Sequence, residues 1–321
     1  MSTSRCLLPT LCAALISLGL ATSAHATPST TAAPVQHVVQ HNQGVAVING
    51  TPRRIAVYDL ALLDIVDALG VTPVLLPDTT LPASLAHLEQ VPGLTKAGTL
   101  FEPDLQALAA AQPDLILIGS RSAKHQQALA GIAPTLELGS DRLDFSNSIL
   151  ATTLSLGRVL DRQVQARKLA IELLQQQERL AGQLAGQRAA SLFVVNGRIA
   201  LHAPGERFGI FHDLTGLAAT SAAVTEQTPR ASGPQQAATQ EAANQRLQAA
   251  LAAGPQWLFV LDRASATGGQ EQARAVLAAD PAVTATPAWK AGQVVWLDPA
   301  DWYLVTGGVR PAQALLQQMA P

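Results

Sequence analysis

Two arginines stand equally far beyond a proline in two related stretches of the chain. Residues 105–113 read Leu-Gln-Ala-Leu-Ala-Ala-Ala-Gln-Pro and lead through an apolar run at 115–118 to Arg121. Residues 247–255 read Leu-Gln-Ala-Ala-Leu-Ala-Ala-Gly-Pro and lead through an apolar run at 257–261 to Arg263. Alanine-rich segments match easily by chance, so the shared spacing from Pro113 to Arg121 and from Pro255 to Arg263 carries more weight. Both arginines fall just past the carboxyl end of an expected strand, where open α/β sheets bind ligands. A third, Arg207, lies in Gly205-Glu206-Arg207-Phe208-Gly209 between an expected strand and helix, where unpaired backbone N–H groups also suit an anion. The guanidinium fork donates several hydrogen bonds and keeps its charge, which suits planar, oxygen-rich anions. Like charges ~4 Å apart repel by about 4 kcal/mol at an effective dielectric of ~20. Three arginines around one crevice therefore describe a site shaped for a polyanionic guest. Tyr303, in Asp301-Trp302-Tyr303-Leu304, follows an expected strand and the Asp298-Pro299 turn, which places it at a rim. Taken alone, a tyrosine there reads as a packing residue rather than a metal ligand.

Other chemistry is sparse. The histidines are His25, His37, His41, His87, His125, His202 and His212, and no pair has helical zinc-ligand spacing with a carboxylate nearby. His37 and His41 fall in an expected hairpin, and His212, beside Asp213, reads as a helix histidine with a hydrogen-bonded partner. The chain has no Gly-x-Ser-x-Gly elbow, no phosphate loop and no Gly-x-Gly-x-x-Gly after a strand. Nothing in these patterns requires catalysis, so the protein is not expected to be an enzyme.

The elements that must position these residues form a two-part chain. It has 321 residues, of which 48% are hydrophobic and 14% charged, with 21 basic and 23 acidic side chains and a net charge of -2. That length suits two domain-sized units, and the apolar share suits a packed protein. Near-neutrality leaves no broad basic surface, so no nucleic-acid partner is expected. Residues 1–26 place Arg5, an apolar run over 6–20, and Ala24-His25-Ala26 in the order of a cleavable export signal. The run is shorter than the roughly 20 residues that span a membrane. Cys6 and Cys12, the two cysteines of the chain, both lie in this segment, so the exported protein would carry no disulfide. Cys12 follows Pro9-Thr10-Leu11 rather than small residues, so a soluble product without an acylated anchor is expected.

Residues 27–34 read as a flexible leader. Segments 35–40 and 45–49 flank an Asn42-Gln43-Gly44 turn and suggest a hairpin. An apolar run at 55–57, a helix from about Asp59 to Leu69 closed by Gly70, and a run at 74–76 make a strand–helix–strand unit, the mark of a parallel sheet. A helix–strand unit spans 103–118, with a short strand at 135–138 and a helix at 147–158. A long helical pattern from Asp161 to about Leu184 then covers roughly 36 Å at about 1.5 Å per residue. After it the pattern restarts with strands at 192–195, 257–261 and 294–297 and helices around 209–217 and 270–279. The expected architecture is α/β, with an N-terminal lobe at 35–157, a linking helix at 158–187 and a C-terminal lobe at 188–321. Each lobe would point an arginine into a shared crevice.

The motifs Gly98-Thr99-Leu100-Phe101-Glu102-Pro103-Asp104, Pro113-Asp114-Leu115-Ile116, Arg207-Phe208-Gly209-Ile210-Phe211-His212-Asp213, Val260-Leu261-Asp262-Arg263 and Asp298-Pro299 through Trp302-Tyr303-Leu304 occur in order. From about Gln40 to its end the chain resembles the substrate-binding proteins of ABC importers. Within them it resembles the ferric-siderophore binders, especially the branch for catecholates such as petrobactin or enterobactin. The resemblance implies the class III architecture, two Rossmann-like lobes joined by a single long α-helix with a small closure on binding. It implies a periplasmic monomer without a permanently bound cofactor, which hands a ferric siderophore to an inner-membrane ABC permease. The family's anion-binding arginines fall on Arg121, Arg207 and Arg263, and its iron-coordinating phenolate falls on Tyr303.

Two departures accompany the resemblance. Residues 214–256 hold no histidine where the family can supply one to iron; a Gln/Ala-rich stretch at 226–245 adds Arg230 as an extra cation. Iron would then be met by Tyr303 with water, by a remote donor, or within a complete hexadentate chelate. The glutamates with which relatives dock on the permease correspond to Gln106 and Gln248, with Glu102, Asp104 and Glu241 nearby. A second reading keeps the fold with haem, cobalamin or a ferric hydroxamate as cargo, against which the 4% aromatic content speaks. A third is an exported scaffold or adhesion protein without small-molecule cargo.

Overall fold

The structure, a computed structural model, describes residues 35–224, 234–266 and 268–320. The expected export signal, the leader and Arg230 lie outside the described residues. The described chain opens with the hairpin of β1 (Gln36–His41) and β2 (Gly44–Asn49), antiparallel with Gln36 opposite Asn49. Burial alternates along β1, so His37, Val39 and His41 face inward.

A first sheet follows, built from β3 (Ile55–Val57), α1 (Leu60–Ala68), β4 (Leu75–Leu76), β5 (Thr95–Lys96), α2 (Leu105–Ala111), β6 (Leu115–Ile118), α3 (Gln126–Ala130) and β7 (Thr135–Glu137). Its five strands are all parallel, in the order β5-β4-β3-β6-β7. Every residue of β3, β4, β6 and β7 is buried, the mark of strands covered on both faces. Asp59 caps α1, and Gly70 leaves it at φ 74°, the left-handed conformation that glycine adopts without strain.

Two helices carry the chain away from this sheet: α4 (Phe145–Val159) and α5 (Gln163–Gln183). The long helix begins two residues later than its sequence pattern suggests. Asp161 adopts φ 55° and the Arg162 N–H donates to the Gly157 carbonyl at 2.7 Å, a left-handed end to α4 that must be passed first. Gly157 is required there, because a Cβ would collide with Ala166 of α5. On α5 the buried residues Ala166, Ala170, Leu173 and Leu180 form one helical stripe.

The second sheet comprises β8 (Arg188–Val195), β9 (Arg198–Leu201), α6 (Phe211–Thr215), β10 (Ala218–Ala219), α7 (Pro234–Ala252), β11 (Trp257–Asp262), α8 (Arg263–Ala266), α9 (Ala273–Ala279), α10 (Pro281–Thr284), α11 (Pro287–Lys290) and β12 (Val294–Trp296). Parallel strands run β10-β8-β11-β12, and β9 pairs antiparallel with β8. The β8–β9 turn is Asn196-Gly197 with φ of 51° and 69°, the conformation in which a two-residue turn matches strand twist. The chain ends with α12 (Pro299–Leu304) and α13 (Val309–Met319).

The last helix returns to the first sheet's side. Val309, Ala312, Leu315, Leu316 and Met319 are buried where α13 packs against α1 and α5. The Arg310 N–H donates to Asp64 of α1 at 3.0 Å, and its guanidinium pairs with Asp67. On the opposite side, Asp213 of α6 accepts from the Ser146 N–H of α4 at 2.7 Å. Gln177 of α5 donates to Ser146 Oγ at 2.8 Å and to the Leu214 carbonyl at 3.2 Å. Both sheets belong to one compact unit, Val35–Pro321.

Candidate functional site

The central strand β3 sends its helix toward β4, whereas β6 lies on its other side, so the chain reverses direction between β3 and β6. A crevice opens at the carboxyl ends of strands at such a switch point. Asp59 follows β3 there. Its Oδ1 accepts from the N–H groups of Ala61 (2.9 Å) and Leu62 (3.1 Å), which no preceding helical turn can satisfy. Its Oδ2 faces Arg121, beyond the end of β6, at 3.8 Å from Nη1. A Cβ at Gly119 would collide with this carboxylate, so glycine makes room for the pair. Burial pushes the Asp59 carboxyl up, against the pull of the Arg121 guanidinium and the two N–H groups.

Arg207 stands on the opposite wall, between β9 and α6. Its guanidinium lies 4.8 Å from the ring centroids of both Phe208 and Tyr303, a cation held against two aromatic faces. Phe193 completes the platform, 4.8 Å from Phe208 and within 7° of parallel to Tyr303 at 6.4 Å. Glu206, the neighbouring acid, is engaged elsewhere: it accepts from the Ala203 N–H at 2.7 Å and pairs with Arg246 at 3.3 Å. Among the described residues Arg207 has no carboxylate partner. Burial pulls its guanidinium below the ordinary value, Arg121 adds to that, and Tyr303 opposes it.

One oxygen joins the two walls. The Tyr303 carbonyl, in the last turn of α12, accepts from Arg121 Nη2 and from Arg207 Nη2, each at 3.1 Å. Carbonyls in a last helical turn have no partner within the helix. This one positions two cations without neutralising either. The cleft around them measures about 580 Å³, and among the described residues its charged lining consists of Asp59, Arg121, Arg142 and Arg207. Tyr303 lines it as well, half-buried and packed against the core, so it combines a packing role with a place at the cleft.

The cleft thus brings together Arg121, Arg207 and Tyr303. Arg263 is not among its lining residues: it is exposed in the first turn of α8. The cause is Asp262, a buried acid that accepts from the N–H groups of Ala264 (2.8 Å), Gln272 (2.6 Å) and Ala273 (2.6 Å) and so fixes how the chain leaves β11.

Among the described residues no histidine lines the cleft. His212 is buried with Nε2 3.4 Å from Ser191 Oγ, and burial lowers its pKa to about 4; its neighbour Asp213 caps α4 instead of serving the imidazole. His202 packs edge-on against Phe193 and Phe208 and is also lowered to about 4, first by burial. Among the described residues no three His, Cys, Asp or Glu side chains converge as a metal site. Sequence reasoning overlooked Asp59 and Arg142 as site residues. Both lie just past carboxyl ends of parallel strands, the same rule that selects Arg121.

A family model described as "Periplasmic binding protein" matches residues 55–300. The chain is 28% identical over 283 residues to the petrobactin-binding protein YclQ of Bacillus subtilis, covering 84% of each chain. It is 25% identical over 291 residues to the ferric-anguibactin-binding protein FatB of Vibrio anguillarum, covering 88% of this chain and 86% of that protein. The crystal structure of the periplasmic catecholate-siderophore binding protein VctP from Vibrio cholerae superposes with a TM-score of 0.75 at 24% identity, covering 89% of this chain and 99% of that one. Two α/β sheets joined through one long helix, and a cleft at their strands' carboxyl ends, agree with a match that spans most of the described chain. The protein belongs to the periplasmic binding protein family, with the class III fold.

Proposed function

We propose that this protein binds an anionic ferric siderophore of the catecholate type in the cleft and delivers it to an inner-membrane ABC permease. The observation that carries this reading is the shared Tyr303 carbonyl, which holds Arg121 and Arg207 from opposite walls and, being uncharged, neutralises neither. An anion entering the cleft meets two positioned guanidiniums and does not have to gather them, which lowers the entropic cost of binding. The names of the petrobactin, anguibactin and catecholate binders point to the same cargo class. The role is binding and transfer rather than catalysis.

Among the described residues Tyr303 is the one phenol lining the cleft and no imidazole lies beside it, so in this reading the cargo brings the rest of its iron shell. Phenolate and catecholate oxygens are hard donors suited to ferric iron. In this reading residues 1–26 export the chain to the periplasm, 35–157 and 188–321 act as lobes about the helix at 158–187, and the protein works as a monomer. Arg263 lies outside the cleft lining and is given no contact with the cargo in this reading. Among the described residues no helix is long and apolar enough to cross a membrane.

Titration with ferric tris-catecholate, followed by tryptophan fluorescence, tests the reading. Trp302 is buried beside Tyr303 and should report occupancy. Saturable quenching at micromolar cargo is expected, weakened on the order of 100-fold in Arg207→Ala, the scale of charge-assisted hydrogen bonds lost from a desolvated site. No quenching in the wild type, or unchanged affinity in Arg207→Ala, would count against it.

A further inference from the structure

We propose that Arg142 is the third cation of the cleft, in place of Arg263, and that with it the site selects chelates carrying at least two net negative charges. The inference rests on the anionic-chelate reading above and names its charge class. Arg142 lies in the loop after β7, whose residues Leu138, Gly139 and Ser140 also line the cleft. The loop's shape is set internally: Asp141 Oδ1 accepts from the N–H groups of Leu143 (2.7 Å) and Asp144 (3.3 Å), and the Asp141 N–H donates to Ser148 Oγ at 3.1 Å. Such a carboxylate-closed turn holds its backbone without help from the intervening side chain. Leu143 carries the loop to the other wall, where a Cβ on Gly205 would sit 3.1 Å from its Cδ2. Arg142 therefore stands near the Arg207 loop.

Neither acid beside Arg142 neutralises it. Asp141 is engaged in the turn, and Asp144 Oδ1 accepts from Asn147 Nδ2 at 2.7 Å. Among the described residues the Arg142 guanidinium makes no ion pair and no hydrogen bond. Its charge reaches across the cleft, since it acts with burial and Arg121 to lower the Arg207 guanidinium and contributes to lowering His202. Among the described residues, three like charges face one space with one carboxylate, Asp59, beside them. Two positive charges are left over. A neutral chelate would leave that repulsion in place, whereas a dianion or trianion cancels it.

The test compares wild type, Arg142→Ala, Arg207→Ala and Arg263→Ala against two ferric chelates: a trianionic tris-catecholate and a neutral tris-hydroxamate. Wild type should favour the trianion. Arg142→Ala should weaken it about tenfold at low salt, the scale of one charge-assisted hydrogen bond, and flatten the salt dependence. Its melting temperature should stay unchanged, because the side chain is exposed. Arg263→Ala should bind as wild type does. Full trianion affinity in Arg142→Ala with loss in Arg207→Ala overturns the Arg142 assignment and leaves the anionic-chelate reading standing. Equal wild-type affinity for both chelates overturns the charge class. Wild type binding neither chelate removes the underlying reading, and this inference with it.

Discussion

At the end of β6 the chain runs on through Gly119 and Ser120 before Arg121, whose guanidinium turns toward Asp59 and the Tyr303 carbonyl. At the end of β11 no such run exists: Asp262 is itself the last strand residue and Arg263 opens α8. The two arginines keep the same distance from their prolines, yet β6 has four residues and β11 six, so they leave their strands at different depths. Each end also has its own acid. Asp59 is shared between a helix cap and Arg121, whereas the Asp262 carboxylate is filled by backbone N–H groups. An arginine past a parallel strand becomes a ligand group when the neighbouring loop presents a partner that orients it inward. Arg263, at the start of α8, is an exposed charge outside the cleft lining.

The comparison breaks most visibly at Asp262. Asp262→Ala strands several buried N–H donors and should cost about 3 kcal/mol of stability, a fall in melting temperature of roughly 6–9 °C. Urea unfolding measures this, and cargo affinity should hardly move. A stable variant with weakened binding would place Asp262 in the site instead.

Asp64 sharpens the same contrast between buried acids. It is fully buried on α1, where it accepts the Arg310 N–H at 3.0 Å, while its Oδ1 lies 3.8 Å from the Arg310 guanidinium and has no hydrogen-bond partner among the described residues. Burial pushes its pKa up to about 6, against Arg310 and from an ordinary value of 3.8. Between those values the native state holds a proton that the unfolded chain has released, so this contribution to stability falls as pH rises through the window. Asp64→Asn should remove it: the wild type should gain about 2 kcal/mol more than the variant on going from about pH 7 to about pH 4. Parallel stability–pH curves would contradict that.

The smallest change concerns Tyr303. Tyr303→Phe keeps the ring and the carbonyl that holds both arginines, so affinity for a ferric bis-catecholate should fall only about threefold, the share of one coordinating oxygen against retained charge contacts. The charge-transfer band of the complex should shift in the visible spectrum. An identical band would remove the tyrosine from the iron shell.

Much of this arrangement was legible in the chain. The β3–α1–β4 unit follows from apolar runs around an Asp-capped, Gly-closed helix, and α2–β6 from a periodic stretch ended by Pro113. Arg121 and Arg207 stand out by their places beyond expected elements, whereas Tyr303 alone reads as a packing residue and gains its site role from the family resemblance; all three line the cleft. The fate of Arg263 was not legible, because spacing from a proline does not determine how many residues pair into a strand, and Asp262 acts through N–H groups ten and eleven residues on. That clamp also explains why the helix expected from 270 begins at Ala273. The β8–β9 hairpin had an available signal in Asn196-Gly197. The return of α13 to α1 depends on Arg310 meeting Asp64 and Asp67, a pairing of residues about 250 positions apart that no local pattern encodes.

The most direct measurement is the affinity of Arg121→Ala and Arg263→Ala, side by side, for trianionic ferric tris-catecholate. Arg121→Ala should lose on the order of 30-fold, the scale of a buried charge-assisted contact. Arg263→Ala should stay within about twofold of wild type, as expected for an exposed charge. Equal losses in the two variants, or a larger loss in Arg263→Ala, would contradict the account.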